Sequence, residues 1–153
     1  MKIPLLAAIL ILACSVPAMA QNQDKGMWYS ASDSSNTVTG DIVIKDGKVT
    51  INLRSYPLAQ IRALKAAELS AVFAADPNAG PVGNLYRLLI PASARFVHRN
   101  TLCGSDDTQW MATYVDGKTL QAAFFSGSQA PTLTFEAISG GNANLCGTYI
   151  YAR

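Results

Sequence analysis

Histidine occurs once in this chain, at His98, glutamate only at Glu68 and Glu136, and no two cysteines stand in a Cys-x-x-Cys pair. Each scarcity removes a class of chemistry. Tetrahedral zinc needs four donors, which one histidine and dispersed cysteines do not supply. A dithiol redox motif needs two close thiols. Glycoside hydrolysis needs an acid and a base on facing walls, and Glu68 with Glu136 is the single glutamate pairing on offer. Neither Gly-x-Ser-x-Gly nor Ser-x-x-Lys occurs, so a serine hydrolase would have to be built around His98 alone. Charge is thin as well: charged residues make up 14% of the chain. The 12 basic residues against 10 acidic ones give the full chain a net charge of +2, and a mature chain without Lys2, in the leader described below, would have 11 against 10, or +1. That balance gives no basic face for a nucleic acid.

Two fragments resemble ligand motifs and fail on spacing. Gly117-Lys118-Thr119 ends like a phosphate-binding loop, but the position five before Gly117 is Ala112, where that loop needs glycine. Asp106-Asp107 lacks the further alternating oxygen ligands of a calcium loop and reads as a solvated turn. No metal and no cofactor are expected.

What the sequence does have begins at its start. Met1-Lys2 is followed by an uncharged apolar run from Ile3 to Val16, which closes on Pro17-Ala18-Met19-Ala20 before polar Gln21. Fourteen apolar residues rise only about 21 Å as a helix, short of the roughly 30 Å hydrocarbon core of a bilayer. The pattern predicts a secretory signal peptide over residues 1–20, cleaved after Ala20, and no transmembrane segment in the mature chain. The alternative is a lipoprotein box at Ile11-Leu12-Ala13-Cys14, with Cys14 acylated and tethering the protein to a membrane. Periplasmic or secreted localisation follows from the first reading, a membrane-anchored lipoprotein from the second.

Either processing leaves Cys103 and Cys146, each within a Leu-Cys-Gly stretch, in a compartment where disulfides persist. A bond between them would close a loop of 43 residues, and chain entropy then contributes about 4 kcal/mol. A Cys103–His98 nucleophile is disfavoured, because a strand from Arg95 to Thr101 would point the two to opposite faces.

The Ser-rich run "SASDSSN", together with the residues before it, reads as a flexible polar lead-in over residues 21–36. A single disulfide-stapled β domain then occupies residues 37–153. Asp46-Gly47 and Asp116-Gly117, each between β-branched or aromatic runs, predict hairpins. Val49, Ile51 and Leu53 are expected to face inward. Ala66 to Ala74 reads as a short helix, while Leu58 to Lys65 fits neither a helical nor a strand period cleanly. Leu85–Ile90, Arg95–Thr101, Trp110–Val115, Thr119–Phe125, Thr132–Ile138 and Thr148–Ala152 read as strands. The fold expected is mainly β, an antiparallel barrel or half-open barrel of about eight strands with one short helix. A β-sandwich is the second choice. At the level of architecture, a small exported β domain with one disulfide resembles the bacterial periplasmic inhibitors of lysozyme-like enzymes. None of their functional motifs has a counterpart here.

Arg95, His98 and Arg99 form a basic cluster, and Tyr149 and Tyr151 share a face of the last strand. Arginine and tyrosine are enriched in binding hot spots, so these five form the candidate binding surface, unless the tyrosines simply face the core. The function expected is non-catalytic binding of another macromolecule, a protein of the cell envelope, as an inhibitor, immunity or accessory factor. A small-ligand carrier with a cavity lined by Phe96, Trp110, Phe124 and Phe135 is the alternative, and a hydrolase using His98 the remote one.

Overall fold

A computed structural model describes residues 22–78, 80 and 82–153. The leader, its cleavage point and Cys14 lie outside the described residues. Strand β1 (Gly26–Ser30) leads into helix α1 (Asp33–Val38), then β2 (Ile42–Lys45), β3 (Lys48–Ile51) and β4 (Arg54–Ala63). Helix α2 (Ala66–Phe73) precedes β5 (Asn84–Ile90), and a 3-10 turn (Val97–Arg99) lies between β5 and β6 (Thr108–Asp116). The chain ends with β7 (Thr119–Ser126), α3 (Phe135–Ser139) and β8 (Leu145–Ala152).

The eight strands form a closed antiparallel barrel in sequential order, and β8 returns to β1 through Tyr29–Ala152 and Ser30–Tyr151. Among the described residues, closure leaves no unpaired strand edge to recruit another chain. Both Asp-Gly hairpins form: Lys45 pairs Lys48 with Gly47 at φ 76°, and Asp116 pairs Thr119 with Gly117 at φ 57°. Because the strands alternate in direction, α1, the β3–β4 turn, the β5–β6 loop and the connection leading into α3 share one end of the barrel, while α3 itself packs beside α2 on the outer face. The two Asp-Gly turns and the chain ahead of β1 lie at the other.

Alternation along β6 and β7 feeds two cores. Met111 and Val115, with Leu120, Ala122 and Phe124, point into the barrel beside Trp28, Ile42, Ile44, Val49, Ile51 and Tyr86. Trp110, Ala112, Tyr114, Ala123 and Phe125 point outward, and α2 and α3 cover them with Leu69, Phe73 and Ala137. A helix-capped outer face explains why both sides of these strands are apolar.

Five expectations are corrected. The lead-in is not without structure. Trp28 is fully buried in β1 and donates its indole N–H to the Asp24 carbonyl at 2.9 Å. The serines form α1, since the Ser32 and Ser35 side chains each accept from the other's backbone N–H in a capping box. Ser35 Oγ, fully buried, also donates to the Ile150 carbonyl at 2.8 Å. The polarity there serves local hydrogen bonds, which composition alone does not distinguish from solvation.

Leu58–Lys65 resolves mostly as strand, within β4, whose pairing with β5 shifts between Gln60 and Arg62. That irregularity breaks the two-residue period that would have revealed it. Arg95–Thr101 is no strand: β5 pairs β6 directly, and the intervening loop turns Phe96 and Leu102 into the barrel core. Thr132–Ile138 is mostly α3, with Thr134 Oγ1 accepting the Ala137 N–H at 3.2 Å as the N-cap. Threonine's β preference gave way to its capping chemistry. Leu53 does not face inward and is 97% exposed. The described residues hold three α-helices where one was expected.

Candidate functional site

The disulfide end carries the basic cluster. Cys103 and Cys146 are bonded, with Cα atoms 5.0 Å apart, tying the β5–β6 loop to the start of β8. The sulfur of Cys103 is therefore no free thiol for His98 to activate. Further bonds hold the same loop. Asn100 Nδ2 donates to the Thr37 carbonyl of α1 at 3.0 Å, and the Ala92 N–H donates to Asp107 Oδ1 at 2.8 Å. Arg95 Nη1 donates to the carbonyls of Ala92 and Ala94. Phe96 stands edge-on to Tyr56 with ring centroids 6.3 Å apart. Asp107 of the expected solvated turn thus works as a brace, and Asp106 with Gln109, Ser126 and Asn144 lines a polar cleft of about 490 Å³ beside it. No cluster of three metal-ligating side chains exists among the described residues.

On this braced frame Arg95, His98 and Arg99 are exposed. His98 and Arg99 are consecutive and left-handed, with φ of 52° and 61°. The β3–β4 turn at the same end repeats the feature, since Asn52 and Leu53 have φ of 47° and 65°. Ile51 pairs Arg54, so the turn is a two-residue hairpin. A hairpin with positive φ at both central residues favours Asn-Gly. Here leucine holds the glycine position, where the left-handed backbone costs an L-residue roughly 1–2 kcal/mol. Its side chain gains no burial in return. Leu53 is the residue that sequence reasoning missed at this end, and the signal was present: an Asn-Leu step between two alternating runs.

The other sequence candidates separate. Tyr149 and Tyr151 are 6% and 0% exposed and face the barrel core, so they belong to no surface. The Tyr151 hydroxyl shares a 2.7 Å hydrogen bond with Thr39 Oγ1, and burial pushes the ionisation of both phenols up. The four aromatics assigned to a ligand cavity do not meet. Phe96 and Phe124 fill the barrel interior, Trp110 lies beneath the helices on the outer face, and Phe135 is 69% exposed on α3. Strand parity puts Trp110 outside when Met111 is inside, and the helical turn of α3 carries Phe135 to solvent.

At the opposite end lies a constellation that periodicity does not reveal. Asp24 is 1% exposed. Its Oδ2 accepts from Asn84 Nδ2 at 3.0 Å, the Tyr86 hydroxyl at 2.7 Å and the Thr113 hydroxyl at 2.7 Å. Burial, and then the Asp24 charge, push the Tyr86 phenol far up. These donors arrive from β5 and β6, so only tertiary structure assembles the cluster.

Comparison with family models, with curated proteins and with solved structures gives no match. The residues themselves carry the functional argument. Among the described residues, no helix is long and apolar enough to cross a membrane.

Proposed function

We propose that this is an exported, non-catalytic binding protein of the bacterial envelope, periplasmic or secreted. Its contact surface is the disulfide end of the barrel, formed by Leu53 and Arg54 of the β3–β4 turn with Arg95, His98 and Arg99 of the braced loop. One observation carries the reading. Two separate pairs of consecutive non-glycine residues, Asn52–Leu53 and His98–Arg99, are left-handed and exposed at one end. Backbone strain that yields no internal packing persists where it presents side chains to something else. An exposed leucine at the same barrel end as Arg54, Arg95 and Arg99 fits a macromolecule with an apolar pocket in an acidic surround. Export is supported by the leader pattern and by the disulfide.

The test compares resin-bound wild type with Leu53→Gly and Arg99→Glu in retaining a partner from an envelope extract at low ionic strength. Wild type is expected to retain a defined protein that elutes as salt rises. Arg99→Glu should retain at least tenfold less, and Leu53→Gly clearly less while unfolding no earlier than wild type. Equal retention by all three overturns the surface. A wild-type resin that captures nothing specific overturns the function.

A further inference from the structure

Three ladder irregularities meet at one corner of the disulfide end. The β5–β6 pairing shifts between Arg87 and Ile90, the β6–β7 pairing between Thr108 and Trp110, and the β7–β8 pairing between Phe124 and Phe125. Bulges bend strands and re-aim side chains, and they are over-represented beside active sites. Here they part the start of β6, the end of β7 and the entry to β8, and the polar cleft of about 490 Å³ lies between them. That volume is in the range of small-ligand sites.

Its walls are fixed from behind. Gly127 has φ of 91°, and a Cβ there would meet Asn144 Nδ2 at 3.0 Å. Trp110 Nε1 donates to the Gly127 carbonyl at 3.1 Å, and the Ser126 N–H donates to the Asn144 carbonyl at 3.0 Å. Gln109 is clamped by Arg87, whose Nη2 donates to Oε1 at 2.7 Å and whose Nη1 donates to the Gln109 carbonyl at 3.0 Å. With its amide oxygen taken, Gln109 offers the cleft its Nε2 hydrogens. The side chains of Asp106, Ser126 and Asn144 make no hydrogen bond to any other described residue. An adjoining hollow of about 320 Å³ is walled by the Cys103–Cys146 disulfide with Leu102 and Leu145.

We propose that this cleft binds a neutral saccharide. The Asp106 carboxylate accepts from hydroxyls of the sugar, Gln109 Nε2 donates to one of its oxygens, and the disulfide with Leu145 takes the apolar face of the ring. The lining disfavours the other ligand classes. Asp106 and Asp107 repel an anion, and polar walls give an apolar ligand little to pack against. An ammonium or guanidinium group has donors only. It would satisfy Asp106 but set the clamped Gln109 donor against another donor. A hydroxyl both donates and accepts, and a sugar ring presents hydroxyls on its edge and C–H groups on its face. The cleft shares an end with the basic loop but uses neither Leu53 nor its arginines, so it stands independently of that contact surface.

The test follows backbone and side-chain amide resonances of the isotope-labelled protein while D-glucose, D-galactose, D-mannose and N-acetyl-D-glucosamine are each added to about 100 mM, which reaches millimolar dissociation constants. At least one sugar should give saturable shifts centred on Gln109, Gly127 and Asn144. Asp106→Asn should weaken that sugar about tenfold, since hydrogen bonds to a charged acceptor are the stronger ones. Its side chain holds no other described residue, so the urea midpoint should stay unchanged. Gln109→Glu keeps an acceptor for Arg87 but removes the donor from the cleft, and should weaken the sugar by a similar factor. Spermidine is the counter-probe. If spermidine saturates the same amides and binds Gln109→Glu more tightly while the sugars leave them unmoved, the cleft is a cation site and the saccharide assignment falls. Absence of a saturable shift with all four sugars overturns it, as does a bound sugar whose affinity both variants leave unchanged.

Discussion

Gly83 occupies a place where no side chain fits. A Cβ there would meet the Thr113 carbonyl at 2.2 Å and Leu69 Cδ2 at 2.7 Å, at the point where α2 crosses the start of β5. Its own carbonyl accepts the Leu64 N–H at 2.9 Å, so the backbone cannot retreat without losing that bond. Gly83→Ala is expected to cost about 2–3 kcal/mol, read as a lowered urea midpoint with an unchanged slope. An unchanged midpoint would mean that α2 shifts freely on the barrel. Individual residues were only partly legible in advance. Gly47 and Gly117 announced their turns because each follows an aspartate between alternating runs. Gly83 gave no such signal, because its requirement comes from a strand thirty residues later and a helix side chain. Leu53 misled for a related reason: it continues the Val49, Ile51 alternation into a turn that the Asn52 before it was already opening.

Elements were read well where a single force decides them and poorly where two compete. Helix α2 stands out through alanine and through Glu68, whose carboxylate takes a bidentate bond from Arg62 at 2.7 Å and the Lys65 N–H at 2.9 Å. The Arg62 bonds hold that carboxyl below its usual range. Strands β6 and β7 were equally plain. Helix α3 and the β5–β6 loop were misread, because β-branched and aromatic residues there serve as a cap and as a plug for the barrel mouth. The disulfide stabilises that loop against its own irregularity. Replacing both cysteines by serine is expected to cost about 4 kcal/mol from the 43-residue loop it closes, and to make residues 91–107 the first point of proteolytic cleavage. Denaturant unfolding with timed proteolysis checks both. A double variant as stable as wild type would place the loop's order in Asp107, Asn100 and Phe96 alone.

Across the whole molecule, closure of the barrel buries phenols that a more open sheet would leave wet. Tyr86 and Tyr151 both have ionisation pushed up by burial, Tyr86 further by the Asp24 charge. In the unfolded chain they ionise near pH 10, whereas in the barrel they hold their protons. The unfolded state then binds fewer protons, so stability is full below about pH 10 and falls as pH rises beyond it. A series of urea unfolding curves from neutral to alkaline pH should show that decline, made shallower by Tyr151→Phe. A flat profile would place water at both hydroxyls. The sequence by itself determined the β class, the two Asp-Gly turns, α2 and the pairing of Cys103 with Cys146, because each follows from local alternation, turn chemistry or simple counting. Tertiary structure alone decided that Tyr149 and Tyr151 face inward and that Leu53 and the basic loop share an end. It also decided that Asp24 meets Asn84, Tyr86 and Thr113, contacts spanning 60, 62 and 89 residues. The physical reason is register: closing eight strands sets the stagger between neighbours, and stagger brings distant side chains together without leaving a trace in local periodicity.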